Sequence, residues 1–457
     1  MPEHELFGSC KYGLYPALGL LYIASALEEK GIPVRIVDAI APPRRMSELL
    51  EILMEEKPTV IGISATSMQI RGAVQLASRL KEVFGNRVAI CIGGNHVTVD
   101  PDFINRFPLF DFSVCGEGEI TFPRLVNKII SGEEKIKGVF YGEPPMNLDR
   151  LPFPSRHLID KRDYSEAEEG VAIQATRGCP FNCVFCCSLV MGRRVRFRSP
   201  KNVVDEMEMI GEDYHERFRF VDDTLTINKH HTLQLCTEMI SRDINAKWSC
   251  STRADCVDKY LLETMYKAGC EYIAFGVESG SERIRNEIVK KHLGDKDLST
   301  AFRLCKEVGI ETGCYLMMGF PNETKIELCQ TANIGIELDA SIIGVHLTQL
   351  MPGTELFAIS VREGLVPHNI FDAYAKGELK AWPIYVPRTM SLNDMIKARR
   401  DAYRRFYFRP KVMLHRIGKD FKSMKALTGD IQMALQLFRR GASPAEPSEW
   451  NLTEDES

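Results

Sequence analysis

The stretch VAIQATRGCPFNCVFC, residues 171–186, joins a predicted apolar strand to a loop with three closely spaced cysteines. Cys179, Cys183 and Cys186 follow the strand in a C-x3-C-x2-C spacing, in a loop at its carboxyl end. Three thiolates in such a loop can hold three irons of a cubane cluster and leave the fourth iron without a protein ligand. The stretch therefore predicts an iron–sulfur cluster with one open iron, able to act on a bound ligand.

Two other interpretations of the cysteine loop fit less well. Structural zinc prefers paired CxxC units with four ligands, and no second pair lies near this loop. Electron-carrying clusters need a fourth cysteine for full coordination. Cys187 directly follows Cys186, and adjacent residues of one short loop rarely reach the same cluster, so we expect Cys187 to be dispensable. The wide spacing of Cys250, Cys256 and Cys270 predicts no auxiliary cluster.

Strands and helices continue to alternate on the C-terminal side of the cysteine loop. Five further apolar strands are predicted, RFRFVDD (217–223), KWSCSTR (247–253), EYIAFGVES (271–279), ETGCYLMMGF (311–320) and SIIGVHLTQL (341–350). Six β/α units in about 180 residues indicate an incomplete barrel of the eight-fold type. We therefore predict a partial (β/α)6 barrel over residues 166–365, with its chemistry at the carboxyl ends of the strands.

A second alternating pattern precedes the loop, over residues 15–125. Apolar strands such as TVIGISATS (59–67) and RVAICIGGNH (87–96) alternate with amphipathic helices, which predicts a parallel sheet covered on both faces. PVRIVDA (33–39) is predicted as a further strand of this sheet. The fold class is therefore α/β, with an N-terminal doubly wound (Rossmann-like) parallel sheet in residues 1–140.

A doubly wound sheet binds ligands at the carboxyl ends of its strands. Three strand ends here are small, polar or glycine-bearing, as a backbone pressed against a ligand requires. The candidate binding residues are Ser64, Thr66, Gly93, Gly94, His96, Gly116, Glu117 and Gly118. Taken alone, the turn that contains Gly93, Gly94 and His96 is more typical of a plain tight turn than of a ligand site.

Composition excludes several classes of protein. The chain has 457 residues, 44% hydrophobic and 26% charged, which is too long for one ordinary domain and enough to bury a large core. Lysine and arginine total 58 against 62 acidic residues, a net charge of −4 that does not favour a nucleic-acid binder. Neither a membrane-spanning apolar run nor a secretory signal is recognisable, so we expect a cytoplasmic protein.

Three segments flank the two alternating regions. Residues 141–165 are proline-rich and predict a linker, and residues 366–440 predict a basic helical C-terminal region. Residues 397–440 contain thirteen Lys or Arg and three Asp, and this net charge of +10 could attract anionic lipid headgroups. A solvated helical surface packed on the barrel is the more typical interpretation. Residues 441–457, with five acidic residues and two prolines, predict a disordered tail.

The cysteine loop and the barrel together resemble the radical S-adenosylmethionine (SAM) superfamily, in which the amine and carboxylate of SAM chelate the open iron. Phe185, directly before the last cysteine, fits the family pattern. Matching motifs end the next strands, VDD (221–223), STRAD (251–255), GVESG (276–280) and MGFPNET (318–324). The resemblance implies that Phe185, Asp222, Arg253 and Glu278 contact SAM. Asn322 replaces the usual glycine of the last motif, and asparagine tolerates positive φ.

The front region extends the resemblance to the cobalamin-binding radical SAM family, over roughly residues 15–365. The motifs are PALGLLYIASALEEKG (16–31), SATS (64–67), GGNHVT (93–98), CGEGE (115–119) and, near the C-terminus, YRRFYFRPKVML (403–414). In that family the front sheet carries cobalamin above the barrel mouth, with its corrin on the strand-end loops. The resemblance therefore implies a 4Fe-4S cluster, SAM and cobalamin as cofactors, and makes the eight strand-end residues cobalamin contacts.

The resemblance also implies an activity. A reduced cluster, fed by a donor such as flavodoxin or ferredoxin, would cleave SAM to a 5′-deoxyadenosyl radical. That radical would abstract hydrogen from an unactivated carbon, and methylcobalamin would supply a methyl group to a small-molecule, lipid or pigment substrate. Within the family, ring closure or rearrangement without methyl transfer is the alternative. A non-catalytic cobalamin- or cluster-binding sensor is a third hypothesis, against which Asp222, Arg253 and Glu278 count.

Two departures from the family pattern stand out. The D-x-H-x-x-G string, which in many cobalamin proteins supplies a histidine to cobalt, does not occur, so the lower cobalt ligand stays open. Residues 1–14 contain no apolar run that could form the first, central strand of a 2-1-3-4-5 sheet. We expect either an upstream segment that supplies this strand, which we favour, or a rearranged sheet that binds cobalamin more weakly.

Overall fold

A computed structural model describes residues 16–41, 44–133, 136–160, 164, 170–187, 190–211 and 217–409. The predicted acidic tail at 441–457 and the part of the basic region after Arg409 lie outside these residues. Residues 1–14, in which the sequence shows no first strand, also lie outside them. In the described residues the chain forms two parallel sheets and a helical C-terminal region.

The front sheet has four parallel strands in the order β1-β2-β3-β4. Its elements, in chain order, are α1 (Leu18–Glu29), α2 (Met46–Glu56), β1 (Val60–Ser64), α3 (Ile70–Phe84), β2 (Ala89–Gly93), α4 (Asn95–Val99), α5 (Phe103–Arg106), β3 (Phe112–Cys115), α6 (Thr121–Ile130) and β4 (Gly138–Tyr141). Alternate strand residues face opposite ways: Ile90 and Ile92 pack with α3, whereas Cys91 and Phe112 pack with α1 and α6. The sheet is thus covered on both faces, as the unbroken apolar runs predict.

One strand prediction for this sheet is wrong. Residues 33–39 form no strand, and β1 lies at the sheet edge, where among the described residues no further strand pairs with it. In a 2-1-3-4-5 order the partner of residues 33–39 would be the first strand, and the described residues contain none. Residues 138–141, at the predicted boundary between the front domain and the linker, form β4, which pairs with β3.

The second sheet has six parallel strands in the order β12-β11-β10-β9-β8-β5, and this confirms the partial barrel. The elements of this region are β5 (Val171–Ile173), β6 (Thr176–Arg177), β7 (Arg196–Phe197), α7 (Pro200–Gly211), β8 (Arg217–Phe220), α8 (Lys229–Ser241), β9 (Lys247–Thr252), α9 (Lys259–Lys267), β10 (Cys270–Glu278), α10 (Asp295–Val308), β11 (Glu311–Met318), α11 (Lys325–Glu337) and β12 (Ile342–Leu347). Strands β6 and β7 form a separate antiparallel ribbon. The outward residues of these strands form one large core with the helices.

Up to Arg409, where the described part of the chain ends, three helices follow the barrel, α12 (Glu355–Arg362), α13 (Ile370–Lys376) and α14 (Leu392–Tyr407). The hydroxyl of Tyr403 accepts from the backbone N–H of Val345 at 2.9 Å, and the Tyr407 hydroxyl lies 3.2 Å from the carbonyl of Ile343. These bonds satisfy polar groups on the open edge of β12, which an exposed edge strand would otherwise leave unpaired. The described part of the basic region is therefore helical and packs on the barrel.

The C-terminal region also contacts the front domain. Ala375 of α13 belongs to the core beside α3, and Arg106 of α5 donates to Asp372 at 2.7 Å. The same helix contributes Phe371 to an apolar cluster with Val184 of the cysteine loop. Among the described residues, no helix is both long and apolar enough to cross a membrane.

Candidate functional site

The cysteine loop begins in the two-stranded ribbon of β6 and β7. Arg177 pairs with Arg196 across this ribbon, and the backbone N–H of Cys179 donates to the carbonyl of Gly192 at 3.2 Å. Gly178 has φ +103°, and a Cβ there would lie 2.6 Å from the carbonyl oxygen of Arg194. Only glycine fits this position, so the direction in which the chain enters the loop is fixed.

The three predicted cluster thiols lie in one electrostatic environment. Burial raises the pKa of the Cys183 thiol, the nearby cations Lys291 and Arg253 oppose that rise, and Cys179 adds to it. The described residues contain no group of ligands compact enough for a single metal ion. The lack of such a compact group is compatible with a cubane cluster, because each of the three thiolates binds a different iron. The sulfur of Cys187 lies 4.0 Å from the carbonyl oxygen of Gly353.

Arg253 follows β9 and is held beside the cysteine loop. Its guanidinium lies 3.8 Å from the centre of the Phe181 ring and donates to Asp255 at 2.7 and 2.9 Å. It also donates to the carbonyl of Lys291 at 2.7 Å. The remaining nitrogen, Nη1, is buried and has no partner in the described part of the chain. A buried donor of this kind fits the carboxylate of a bound SAM molecule, since such groups rarely stay unpaired.

Glu278 ends β10 at an irregular position. Its φ is +68°, and the pairing with β11 shifts register between Gly276 and Glu278. The carboxylate accepts from Lys291 Nζ at 2.6 Å, and both side chains are largely buried. A bulge next to an active site re-aims a side chain. Here it turns Glu278 toward Lys291, and both charges act on Cys183.

Asp222 lies where the sequence places it but is occupied by the protein. Its carboxylate accepts from the backbone N–H of Ala175 at 3.1 Å and from the Thr176 hydroxyl at 2.7 Å. Burial raises the pKa of Asp222 to about 6. With 3% of its surface exposed, Asp222 braces the end of β5 from inside. These hydrogen bonds fix the Asp222 side chain, and its contact with SAM stays a prediction.

Phe185 and the MGFPNET turn pack on the other side of the loop. The rings of Phe185 and Phe320 lie 6.0 Å apart, and Asn322 has φ +56°, the conformation for which asparagine is suited. Glu323 accepts from the backbone N–H groups of Gly319 and Phe320 at 2.6 and 3.1 Å. Burial raises the pKa of Glu323 to about 7. The second carboxyl oxygen of Glu323 is buried and has no partner among the described residues.

The three strand ends of the front sheet meet at one edge, as predicted. Gly94 has φ +92°, and a Cβ there would lie 2.8 Å from the Ala65 carbonyl oxygen and 3.0 Å from Ser64 Oγ. The Thr98 hydroxyl donates to the Gly94 carbonyl at 2.8 Å and accepts from the Gly116 N–H at 2.7 Å. Gly93 precedes this junction and is half-buried. The strand ends at Gly94 and Gly116 are thus packed closely against one another.

Two side chains predicted at this edge behave differently from each other. Thr66 is exposed and caps the following turn through Gln69, with its hydroxyl donating at 2.9 Å. His96 is fully buried against the Phe103 ring, with Nδ1 3.1 Å from Ser67 Oγ. Burial lowers the pKa of His96 to about 4, so the ring is neutral. The His96 ring therefore lies in the core of the front domain, and its contact with cobalamin stays a prediction.

Glu117 and Gly118 also serve the protein interior. The Glu117 carboxylate accepts from Arg177 at 2.7 Å and from Arg196 at 3.1 Å. A Cβ at Gly118 would lie 2.8 Å from the Ile23 side chain, so Gly118 allows α1 to pack closely. The Glu117 carboxylate therefore joins the front domain to the ribbon of β6 and β7, and its contact with cobalamin stays a prediction.

The two strand-end edges face each other. A Cβ at Gly353, in the loop after β12, would lie 3.0 Å from Val99 of the front domain and 3.3 Å from the sulfur of Cys187. Val99 of the front domain and Cys187 of the cysteine loop thus both lie close to Gly353.

Sequence reasoning missed several residues of the site. Lys291 and Arg196 carry contacts to the predicted residues and belong to no motif that we singled out, whereas Phe181 and Glu119 lie inside such motifs but were not predicted as site residues. The sequence signal for Phe181 was its position inside the cysteine loop, because an aromatic ring at that position can pack against a cation such as Arg253. Cys250 and Cys270 are both buried in the barrel core beside α9 and α10. The absence of an auxiliary cluster stays a prediction.

Fold and site together define a radical SAM enzyme with a cobalamin-binding front domain. Residues 173–334 match the Radical SAM superfamily and residues 6–126 match the B12 binding domain. An uncharacterised methyltransferase of Pyrococcus horikoshii, PH0819, is 31% identical over 418 residues, covering 87% of this chain and 89% of the relative. The chain belongs to the cobalamin-binding radical SAM family.

Further relatives show the range of this similarity. The anaerobic magnesium-protoporphyrin IX monomethyl ester cyclase of Rubrivivax gelatinosus is 27% identical and covers 95% of this chain and 81% of the cyclase. Among solved structures, the radical SAM methyltransferase TsrM from Kitasatospora setae superposes with a TM-score of 0.66 at 18% identity, covering 77% of this chain and 74% of TsrM. The cobalamin-dependent enzyme OxsB gives a TM-score of 0.69 at 16% identity, covering 86% of this chain and 65% of OxsB.

Proposed function

We propose that this enzyme transfers a methyl group to an unactivated carbon of a small molecule. The approach of the two strand-end edges at Val99, Gly353 and Cys187 carries the proposal, because methyl transfer needs both cofactors in one chamber. When bound, the cluster supplies the electron that cleaves SAM, and cobalamin supplies the methyl group. Methyltransferase relatives support this reaction over others.

In this proposal the chain itself binds and orients. Cys179, Cys183 and Cys186 hold the cluster, and Arg253 directs its buried Nη1 at the carboxylate of SAM. Glu278, with its charge balanced by Lys291 at 2.6 Å, accepts from hydroxyl or amine groups of SAM. Phe185 closes the loop side, and the backbone around Gly94 and Gly116 carries the corrin. An external flavodoxin or ferredoxin supplies electrons.

The barrel interior favours a polar substrate over a pure hydrocarbon. Outward residues such as Phe218 and Cys250 form the core, so the alternate residues of the strands face inward. There Arg219 donates to the Ser251 hydroxyl at 2.7 Å, and the Tyr272 and Tyr315 hydroxyls lie 3.4 Å apart. The guanidinium and hydroxyl groups of this interior could also form hydrogen bonds with polar groups of a substrate.

The test is product mass. Reconstituted enzyme receives SAM labelled in its methyl group, a reductant and fractions of a cell extract. Methyl transfer places one labelled methyl on a product in a polar fraction and releases S-adenosylhomocysteine. Label that appears only in methionine, together with 5′-deoxyadenosine, would reject methyl transfer.

Oxidative ring closure is a second candidate, favoured by the cyclase relatives. It uses the same cysteine loop and SAM contacts but transfers no methyl group. The same experiment separates the two, because ring closure yields a product without label. A non-catalytic sensor would release no 5′-deoxyadenosine at all.

A further inference from the structure

Four charged side chains join the loop after β3 to the ribbon that leads into the cysteine loop. Glu117 and Glu119 accept from Arg177, each at 2.7 Å, and Glu117 also accepts from Arg196 at 3.1 Å. Each of the four residues is at most 8% exposed. Two carboxylates balance two guanidiniums, so removal of one partner leaves an opposite charge buried. We refer to these four residues as the interdomain clamp.

The clamp is rigidly connected to the cluster side. Arg177 is separated from Cys179 by Gly178 alone, and the space around Gly178 is too small for a Cβ. The N–H of Cys179 is bonded to Gly192 in the same ribbon. Because no flexible residue lies between Arg177 and Cys179, a displacement of Arg177 also displaces Cys179.

The clamp is equally well connected to the front edge. Glu117 directly follows Gly116, whose N–H donates to the Thr98 hydroxyl that also bonds to Gly94. On the other side, a Cβ at Gly142 would overlap the carbonyl of Glu117. The backbone that is expected to carry the corrin and the carboxylates that hold Arg177 thus belong to one short fixed segment.

We propose that Glu117 and Glu119 are positioning residues that fix the cysteine loop relative to the cobalamin edge. Occupancy of the front edge then stabilises the cysteine loop, and a coupling of this kind acts in both directions. The inference rests on the proposed function only in assuming that the front edge binds cobalamin. It assigns Glu117 and Glu119 a task different from ligand contact.

The experiment follows hydrogen exchange of the amides in residues 176–187, with and without added hydroxocobalamin, in the full-length chain. We expect cobalamin to slow this exchange in the wild type. In Glu119→Gln, exchange should be about tenfold faster, the ratio expected when a charge-assisted hydrogen bond is lost, and the cobalamin-dependent slowing should largely disappear. Glu143→Gln, an exposed glutamate of the same region, is the matched control and should behave as wild type.

A second variant keeps the test valid if Glu119→Gln loses its fold. Glu119→Asp preserves the charge at a shorter reach and should restore part of the cobalamin-dependent slowing, which a purely structural defect would not. In the loaded enzyme, Glu119→Gln should also release more 5′-deoxyadenosine per methylated product than the wild type. Wild-type exchange in both Glu119→Gln and Glu117→Gln, with cobalamin bound, would overturn the inference. A wild type that binds no cobalamin would instead overturn the proposed function.

Discussion

The barrel mouth and the front edge differ in the groups that they position for a cofactor: charged side chains at the mouth, backbone at the edge. At the barrel mouth, charged side chains are held by one another: Arg253 by Asp255, and Glu278 by Lys291. At the front edge, Gly94 and Gly116 bring backbone to the surface, and the conspicuous side chains of His96 and Glu117 are committed elsewhere. Motifs therefore point to functional side chains at the mouth, but only to a backbone surface at the edge.

The largest effect should come from the cluster thiols. Alanine at Cys179, Cys183 or Cys186 removes one corner of the cubane, and we expect iron to fall from about four per chain to near zero. Cys187→Ala is the control and should keep its iron, because its sulfur lies toward Gly353. Iron content and visible absorption after anaerobic reconstitution measure this. Full iron in Cys183→Ala would contradict the assignment of the barrel mouth.

A smaller effect is expected at Arg253. Arg253→Lys keeps one charge but cannot hold Asp255, the Lys291 carbonyl and SAM together, because an ammonium lacks the planar fork. We expect SAM affinity to fall about 10- to 100-fold, as for loss of a charge-assisted hydrogen bond, with iron content unchanged. Equilibrium binding under anaerobic conditions measures it. Arg242→Lys, whose partners are Asp205 and Glu208 on the surface, should bind SAM normally.

A smaller effect again is expected from Gly94→Ala, which adds a single methyl group at the front edge. Gly94→Ala combines a positive φ with a Cβ 2.8 Å from the Ala65 carbonyl oxygen, whereas Gly31→Ala has φ +69° and open space. We expect Gly31→Ala to lose about 1 kcal/mol of stability, and Gly94→Ala to lose about 2–3 kcal/mol together with cobalamin affinity. Denaturant unfolding and cobalamin titration test this. Equal behaviour of the two variants would show that the close approach at Gly94 has no role.

The smallest effect is a pH dependence at Glu323. Its folded pKa, about 7, lies above the unfolded value of 4.5, so its stabilising contribution is full below pH 4.5 and is lost as the pH rises through 7. Between pH 6 and 8 the wild type should lose roughly 1 kcal/mol relative to Glu323→Gln, which mimics the protonated carboxyl. Unfolding of both proteins at each pH measures the difference. Parallel pH profiles would mean that Glu323 is ionised throughout.

The sequence predicted the barrel mouth better than the front edge for a physical reason. Cysteine spacing and strand-end motifs specify side-chain chemistry, and Arg253 and Glu278 lie where those motifs place them. Backbone cradles carry no such code: a glycine can serve a ligand, as proposed for Gly94, or a packing contact, as Gly118 does against Ile23. The wrong strand prediction for residues 33–39 shows a further limit of sequence analysis, because a strand forms only with a pairing partner that can be distant in sequence.

One measurement tests most directly whether the two cofactors share one chamber. The chain is loaded with cob(II)alamin and a 4Fe-4S cluster, and the cob(II)alamin electron paramagnetic resonance signal is recorded before and after reduction of the cluster. We predict that the signal broadens or splits, because the facing strand ends hold the two paramagnetic centres close together. An unchanged cob(II)alamin signal, in protein that retains cobalamin and about four irons per chain, would contradict this account.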